Sequence, residues 1–459
     1  MAASWNPDEL ATATGETVDH LAALTEAGLL LRRADGWYES DALTRLQLIH
    51  FARDRGVSEE HLAAAVGRQG DLLGLFEGLG GAAPTRSTLG HAGTELGLSA
   101  GLLTGLMDAL GRDPSDIATT EDLDALRLFA QATSAGLEPE PLLQLVRVYA
   151  ELLNRLADAE VRTFHEYVHG KFRAAGLTGS ELLAASGSLG KALLGLVEPA
   201  VLYFHRRAWE RVSGEDLLRH LMEDSTPVAA APGESLTTVL FIDLAGFTPL
   251  TVAMGDAVAA DIVQRFAAMV RATADTHGGR IVKQIGDAFM LTFTEAADAL
   301  GFGVEVATLA EQESQFPAVH IGAHTGPVLF RDGDYIGAGV NLAARVASVG
   351  GPGQFLITVA VHAAARQVAG LEFTELPPRR LKGLPEPVPL IDVRPAGRTG
   401  HAYAVDPVCG MRLARADVMA VEDSSRVRYS FCSPECADQF RSAPAHYAAP
   451  AVTTDGKSN

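Results

Sequence analysis

The stretch RIVKQIGDAFMLTF, residues 280–293, contains two apolar, strand-like runs on either side of Gly286 and Asp287. Glycine and aspartate readily adopt tight-turn conformations, so the pattern predicts a β-hairpin with its tip at these two residues. An apolar run, TTVLFID, and an amphipathic helix pattern, AVAADIVQRFAAMVRATADTHGG, precede the hairpin. A second helix pattern, AADALGFGVEVATLAEQ, and a further strand, AVHIGAHTGPVLF, follow it. The order strand, helix, strand, strand, helix, strand predicts an α+β fold with a ferredoxin-like split βαβ core.

Length and composition predict several globular domains. The chain has 459 residues, of which 47% are apolar and 20% charged, and a chain of this length rarely folds around one core. Similarity at offsets of about 80 residues, as between Leu21 and Leu103, indicates two copies of one helical unit near the N-terminus. We therefore expect two helical, winged-helix-like repeats over 1–150 and a helical coupling and dimerisation region over 151–224. A linker over 225–235 should lead to the α+β domain over 236–394. A second linker over 395–402, a small cysteine-bearing module over 403–448 and a disordered tail over 449–459 should follow.

Charge, hydropathy and cysteine content narrow the function classes. A net charge of -20 argues against a nucleic-acid partner. The N-terminal MAASWNPDEL does not resemble a signal peptide, and no 18-residue run is free of charged or strongly polar residues. We therefore expect a soluble cytoplasmic protein without a membrane partner. The only cysteines are Cys409, Cys432 and Cys436, and an odd, clustered set in a cytoplasmic chain favours metal binding over disulfides.

Two acidic residues interrupt the apolar pattern of the α+β domain. Asp243 ends the first strand in FIDLAGFT, and Asp287 lies at the hairpin tip. Brought together at neighbouring strand ends, they would form an oxygen-rich site of the kind that Mg²⁺ or Mn²⁺ prefers. The alternative is that Asp243 caps the following helix and Asp287 serves only the turn.

Four further polar residues in this domain also permit two interpretations. Asn341 and Arg345 are four residues apart in the helix pattern AGVNLAARV, which places both side chains on one helical face. They are either part of a site or ordinary helix surface. Similarly, Lys283 is either functional or a solvated edge-strand lysine, and Asp334 is either functional or a turn residue.

Several separated blocks, in order, resemble the catalytic domain of the class III nucleotidyl cyclases. They are FIDLAGFT, VKQIGDAFM, HTGPVL, DYIGAGVNLAAR and LKGLPEPVPLIDV, and the resemblance runs from about Thr237 to Val393. It implies roles for all six polar residues: binding of two Mg²⁺ or Mn²⁺ ions by Asp243 and Asp287, purine recognition by Lys283 and Asp334, and ribose positioning and transition-state stabilisation by Asn341 and Arg345.

The resemblance also implies a substrate and an assembly. A lysine that donates and a carboxylate that accepts match adenine, whereas guanine-specific relatives usually carry glutamate and cysteine at these positions. An adenylate cyclase that converts ATP to cyclic AMP and pyrophosphate is therefore expected. A guanylate cyclase, or a non-catalytic metal-responsive sensor that uses the fold only to dimerise, is the alternative. In this family the metal acids come from one subunit and the other residues from its partner, so we expect a head-to-tail homodimer. Arg380 and Lys382 are candidates for binding the triphosphate.

The N-terminal repeats suggest regulation rather than DNA binding. The first resembles a MerR-type winged helix, but its recognition segment, GETVDHLAALTEAGL, is acidic and lacks the basic residues that phosphates require. We expect a helical regulatory domain. His165, His169, His205 and His220 in the coupling region are either pH sensors or ordinary surface histidines.

The C-terminal module resembles a YHS (TRASH-like) domain through DPVCGM and YSFCSPECADQF. The resemblance and the thiolate chemistry imply a site for Zn²⁺ or another soft metal at Cys409, Cys432 and Cys436. A helix through Glu435 would bring the last two cysteines close together. His446 is either a fourth ligand or a surface residue.

Overall fold

The computed structural model describes residues 4–76, 84–223, 234–313, 316–365, 368–397, 404–413, 418, 420–424 and 427–447. They belong to two compact units, Met1–Val228 and Ala229–Asn459. Most of the two predicted linkers, and the predicted tail, lie outside the described residues. None of the described helices is long and apolar enough to cross a membrane.

The N-terminal unit contains two successive groups of helices, each with its own buried core. In both groups a hydroxyl side chain, Thr17 or Ser99, caps the second helix by accepting a hydrogen bond from the backbone N–H three residues later. The first group comprises α1 (Pro7–Thr14), α2 (Val18–Glu26), α3 (Ala42–Asp54), α4 (Glu59–Gln69) and a 3₁₀ turn (Leu73–Phe76). The second comprises β1 (Pro84–Thr88), α5 (Leu89–Glu95), α6 (Ala100–Leu110), β2 (Ile117–Thr119), α7 (Thr120–Ser134) and α8 (Pro139–Phe164).

The described part of the region from 151 to 224, for which the sequence predicts a coupling role, is largely helical. Helix α8 continues into a π-helical turn (His165–His169), which is followed by α9 (Gly170–Ala174) and the 45-residue α10 (Gly179–Glu223). Of the four histidines in this region, only His169 is buried.

The C-terminal unit is built on a twisted, mostly antiparallel sheet. Its elements are β3 (Glu234–Leu244), α11 (Phe247–Met254), α12 (Asp256–Thr276), β4 (Arg280–Ile285), β5 (Ala288–Phe293), α13 (Ala296–Gln312), β6 (Val319–Arg331), β7 (Asp334–Ile336), α14 (Ala338–Ser348), β8 (Phe355–Thr358), α15 (Val359–Ala365), β9 (Leu371–Arg379) and β10 (Val388–Pro395). The strand order is β4-β5-β3-β6-β8-β10-β9, with β7 paired to β6. The first four strands of this order, with α12 and α13 as crossovers, confirm the predicted ferredoxin-like core.

The two faces of this sheet bury different partners. Because side chains alternate along a strand, Leu240 and Ile242 of β3 pack into the main core with α12 and α13. Val239 and Phe241 face the other way, toward α14 and β7. The same alternation places Asp243 on the face that α14 covers.

The C-terminal cysteine module, residues 404–447, is small. Its elements are β11 (Ala404–Val405), β12 (Arg412–Leu413), β13 (Ala420–Ser424), β14 (Val427–Phe431), α16 (Pro434–Ser442) and α17 (Pro444–Tyr447). Apolar residues of the module, including Met411, Phe431 and Phe440, belong to the same buried core as the main sheet. The module and the sheet therefore share one hydrophobic core.

Candidate active site

Two carboxylates meet where β3 ends and the β4–β5 hairpin turns. Strand β3 pairs with β5 up to Ile242 and Phe289, so Asp243 and Asp287 leave neighbouring strands at the same end. Burial and then the charge of Asp287 raise the pKa of Asp243 to about 7. Burial also raises the pKa of Asp287, against backbone N–H groups of Asp287 and Leu244 that lower it. Both carboxylates are therefore poorly solvated, and the charge of Asp287 disfavours ionisation of Asp243.

The chemistry of this carboxylate pair fits a divalent cation. The Oδ1 atom of Asp243 is buried and has no hydrogen-bond partner among the described residues. A buried acceptor without a partner is costly, and a cation bound to it would remove both this cost and the repulsion by Asp287. Carboxylate oxygens are the ligands that Mg²⁺ and Mn²⁺ prefer.

A histidine that the sequence did not single out lies beside this pair. His320 of β6 is directly opposite Asp243 in the β3–β6 ladder, so the two side chains share a face. Burial lowers the pKa of His320, partly offset by the backbone at Gly350 and Gly351. A neutral imidazole leaves the carboxylate charge to be balanced by another group.

The predicted purine-binding residues lie in contact. Lys283 of β4 and Asp334, the first residue of β7, form an ion pair although they are 51 residues apart in sequence. Their side chains are 36% and 38% exposed, so the pair faces an accessible part of the site. The turn itself is made by Asp332 and Gly333, both with positive φ angles. Asp334 therefore begins a strand and does not form the turn.

Helix α14 carries the polar pair Asn341 and Arg345. Its apolar side, including Val340, Ala343 and Val346, is buried against the sheet. Asn341 is exposed and Arg345 is half-buried. A β-carbon added at Gly383 would lie 3.2 Å from the guanidinium of Arg345, so this side chain packs directly on the loop between β9 and β10.

The six predicted residues fall into three groups within one chain. No hydrogen bond or ion pair among the described residues links the carboxylates of Asp243 and Asp287 to Lys283, Asp334 or Arg345. Within one chain, the Asp243–Asp287 pair and the Lys283–Asp334 pair are therefore not joined by a direct polar contact among the described residues.

A second cluster of potential ligands lies in the C-terminal module. Ligand atoms of Asp406, Cys409, Cys432 and Cys436 all lie within 4.8 Å of one another. The sulfur of Cys432 is 3.5 Å from that of Cys409 and 3.6 Å from that of Cys436. Tetrahedral zinc with Zn–S bonds of about 2.3 Å requires sulfur separations of about 3.8 Å, so the thiols are spaced for such an ion.

Local structure around these cysteines explains their spacing. Cys432 lies just before α16, and Ser433 caps the helix by accepting a hydrogen bond from the N–H of Cys436 at 3.2 Å. Hydrogen bonding with the thiols of Cys409 and Cys432 lowers the pKa of Cys436, which favours its thiolate form. The side chain of His446 is not among the described ones.

Asp406 was missed from the sequence, although it lies only three residues before Cys409 in DPVCGM. Its carboxylate accepts hydrogen bonds from the backbone N–H groups of Val408 and Cys432, both at 2.8 Å. The signal available in the sequence was an aspartate three residues before a candidate metal-binding cysteine.

Comparisons with known proteins identify the family. The model of the adenylate and guanylate cyclase catalytic domain matches residues 230–390. The pH-sensitive adenylate cyclase MT1302 of Mycobacterium tuberculosis is 30% identical over 287 residues, 59% of this chain and 67% of that protein. An adenylate cyclase of Streptomyces coelicolor is 30% identical over 291 residues, 61% of this chain and 72% of that protein. The uncharacterized protein Rv2212 of Mycobacterium tuberculosis is 30% identical over 328 residues, 68% of this chain and 80% of that protein.

These three alignments are longer than the matched domain, so the similarity extends beyond it. The chain belongs to the family defined by the adenylate and guanylate cyclase catalytic domain.

Proposed function

We propose that this chain is an adenylate cyclase, which converts ATP to 3′,5′-cyclic AMP and pyrophosphate. The buried, unpartnered oxygen of Asp243 beside Asp287 is the observation that carries the proposal, because this arrangement is unfavourable without a cation. Two Mg²⁺ or Mn²⁺ ions held by Asp243 and Asp287 would lower the pKa of the ribose 3′-hydroxyl and neutralise charge on the phosphates. The adenylate cyclases among the relatives support the same activity.

The Lys283–Asp334 pair supports adenine as the base. The ammonium group of Lys283 would donate to N1 of adenine, and the carboxylate of Asp334 would accept from the exocyclic amine. Guanine presents a donor at N1 and an acceptor at O6, so the same two side chains would oppose it. ATP is therefore the proposed substrate.

Helix α14 would supply the residues that act on the sugar and the phosphate. The amide of Asn341 would orient the ribose, and the guanidinium of Arg345 would meet the charge that develops on the α-phosphate as the 3′-oxygen attacks and pyrophosphate leaves. Loss of one such transition-state donor costs on the order of 10²–10³ in kcat. Packing of Arg345 against Gly383 restricts the guanidinium before substrate arrives.

Among the described residues, no direct polar contact joins the Asp243–Asp287 pair to the Lys283–Asp334 pair, which favours a shared site. We propose a head-to-tail homodimer in which Asp243 and Asp287 of one subunit act with Lys283, Asp334, Asn341 and Arg345 of the other. Such a two-fold arrangement contains two equivalent sites. The helical N-terminal unit would regulate how these two halves meet.

Nucleotide conversion by the purified chain tests the proposal. With Mn²⁺ present, the wild type should form cyclic AMP from ATP much faster than cyclic GMP from GTP. The double variant Lys283→Glu/Asp334→Cys should shift this preference toward GTP, because donor and acceptor are exchanged. Absence of any cyclic nucleotide from a folded, Mn²⁺-bound dimer would refute the assigned activity.

We further propose that the C-terminal module binds Zn²⁺ or another soft metal through Cys409, Cys432 and Cys436. The sulfur separations and the burial of Cys409 and Cys436 support this site. Thiolates prefer soft ions, so the site differs in selectivity from the carboxylate pair.

A further inference from the structure

The cysteine module contacts the catalytic domain at the loop that follows Asp243. A β-carbon at Gly410 would lie 1.8 Å from the carbonyl oxygen of Ala245. A β-carbon at Gly246 would lie 2.9 Å from both the carbonyl carbon of Cys409 and the nitrogen of Gly410. The two backbones touch with no side chain between them, and both glycines have positive φ angles that suit this approach.

Backbone hydrogen bonds join the same segments. The N–H of Ala245 donates to the carbonyl of Ala318 at 2.7 Å, and the N–H of Ala318 donates to the carbonyl of Gly410 at 3.1 Å. Pro317 and Met411 form an antiparallel bridge beside them. The Cys409–Gly410 segment is therefore hydrogen-bonded to Ala318, just before β6, and through Ala318 it is linked to Ala245, just after β3. Ala245 lies two residues beyond Asp243.

Buried side chains reinforce this attachment. Arg412 is 9% exposed, and its guanidinium donates to the carbonyls of Phe316 and Glu313, both at 3.2 Å. Cys409 and Met411 belong to the same buried core as Leu244. A displacement of Cys409 would therefore be transmitted to the loop after β3, since close-packed interiors transmit strain.

Asp406 links the cysteine-bearing segments to each other. The Oδ1 atom accepts from the N–H groups of Val408 and Cys409, and Oδ2 accepts from the N–H of Cys432. A carboxylate has about four acceptor positions, so one remains for a metal ion. The fully buried Asp406 therefore completes a four-ligand set with the three sulfurs.

We infer that a soft cation held by Asp406, Cys409, Cys432 and Cys436 fixes the Ala245–Gly246 loop and thereby tightens divalent-cation binding at Asp243 and Asp287. This inference rests on the proposed role of the two carboxylates as metal ligands. An ion that clamps Cys409 to Cys432 and Cys436 restricts Gly410, which has no free space against Ala245. The loop then holds Asp243 in one position, so the protein loses less conformational entropy when the catalytic cation binds.

The test is a titration of Mn²⁺ into the full-length protein, followed by electron paramagnetic resonance, before and after one equivalent of Zn²⁺. Allosteric coupling is typically 5- to 150-fold, and we expect Zn²⁺ to tighten Mn²⁺ binding by about fivefold or more. Cd²⁺, added separately, should report occupancy of the sulfur ligands through thiolate-to-metal absorption. Cys432→Ser should lose both the absorption and the Zn²⁺ effect.

Two glycine variants distinguish the effect of the Gly410–Ala245 contact from the effect of backbone strain at a glycine with a positive φ angle. Gly410→Ala should retain Cd²⁺ absorption but lose the Zn²⁺ effect on Mn²⁺. Gly397→Ala is the matched control, since Gly397 also has a positive φ but has no atom within 4 Å of its added β-carbon. Arg412→Gln, which weakens the same attachment, replaces Gly410→Ala if that variant does not fold.

The inference is wrong if wild-type Mn²⁺ affinity is the same with and without Zn²⁺, or if the protein shows no thiolate absorption with Cd²⁺. Coupled cation binding in a protein that forms no cyclic nucleotide would contradict the proposed function alone. Cyclase activity without coupling would contradict only this inference.

Discussion

At the scale of single residues, Asp243 makes the stability of the cation-free protein depend on pH. Its folded pKa of about 7 is above the usual value of 3.8, so between these values the folded state binds more protons than the unfolded state. The free energy of unfolding therefore falls as the pH rises through this window. Asp243→Asn should therefore raise the melting temperature in chelator more at about pH 8, above the whole window, than at about pH 5, where only part of this stability has been lost.

Calorimetry at the two pH values checks this prediction, with Asp275→Asn as a control on an exposed aspartate of α12. Mn²⁺ should stabilise the wild type more than Asp243→Asn. An equal effect of Asp243→Asn at both pH values would contradict the assigned origin of the shift.

The sequence was sufficient to select the polar residues of the candidate sites, but not all of the residues that surround them. Asp287 was placed from its position at the hairpin tip, and Lys283 and Asp334 were paired through the family resemblance. His320 was missed because only the register of β3 with β6 places it opposite Asp243. Asp406 was missed because its hydrogen bonds reach Cys432, 26 residues later.

At the scale of elements, the π-helical turn after α8 has a buried histidine whose protonation weakens the fold. The ring of His169 contacts the hydroxyl of Ser186 at 3.1 Å and His165 at 3.2 Å. Burial, then the charges of His165 and Arg173, lower the pKa of His169 below its usual 6.5. Stability from this residue is therefore present above about pH 6.5 and lost as the pH falls toward the folded pKa.

His169→Gln should flatten the decrease in melting temperature between about pH 7 and about pH 5, because glutamine cannot take up the proton. Thermal unfolding followed by circular dichroism measures the slope. His220→Gln is the control, since His220 is 66% exposed near the end of α10. Parallel slopes for wild type and His169→Gln would contradict the prediction.

Elements with a strong local pattern were predictable, and those fixed by distant partners were not. Gly286 and Asp287 separate β4 from β5 as expected, because a tight turn is specified by adjacent residues. The short strand β7 was not predicted, since its three residues become a strand only through pairing with β6. Similarly, Cys432 approaches Cys436 from just before α16 and not from within the helix.

At the scale of the whole molecule, the sequence indicated a separate module but not its attachment. The hydrogen bond between Ala318 and Gly410 joins residues 92 positions apart, and no periodic pattern specifies such a contact. The apolar residues Met411 and Phe431 were visible as candidates for burial. Their burial in the core of the main sheet depends on tertiary packing.

A shared site makes a quantitative prediction about mixtures of inactive subunits. With the proposed roles, Asp287→Asn would lack a metal ligand and Arg345→Ala would lack the transition-state donor, so each variant alone should be nearly inactive. Random association of equal amounts yields about half mixed dimers, each with one fully wild-type site and one site that has both defects. Cyclic AMP formation in the mixture should therefore recover to about a quarter of the wild-type rate.

The informative control pairs Asp243→Asn with Asp287→Asn. Both changes affect the same half of the site, so every site in a mixed dimer retains one defect and no recovery is expected. Differently tagged subunits, co-purified after co-expression, establish that mixed dimers have formed. If such dimers of Asp287→Asn and Arg345→Ala remain inactive, the two residues do not act across the interface. If the control pair also recovers activity, subunit pairing has effects beyond shared catalysis, and the two-fold site would have to be abandoned as its explanation.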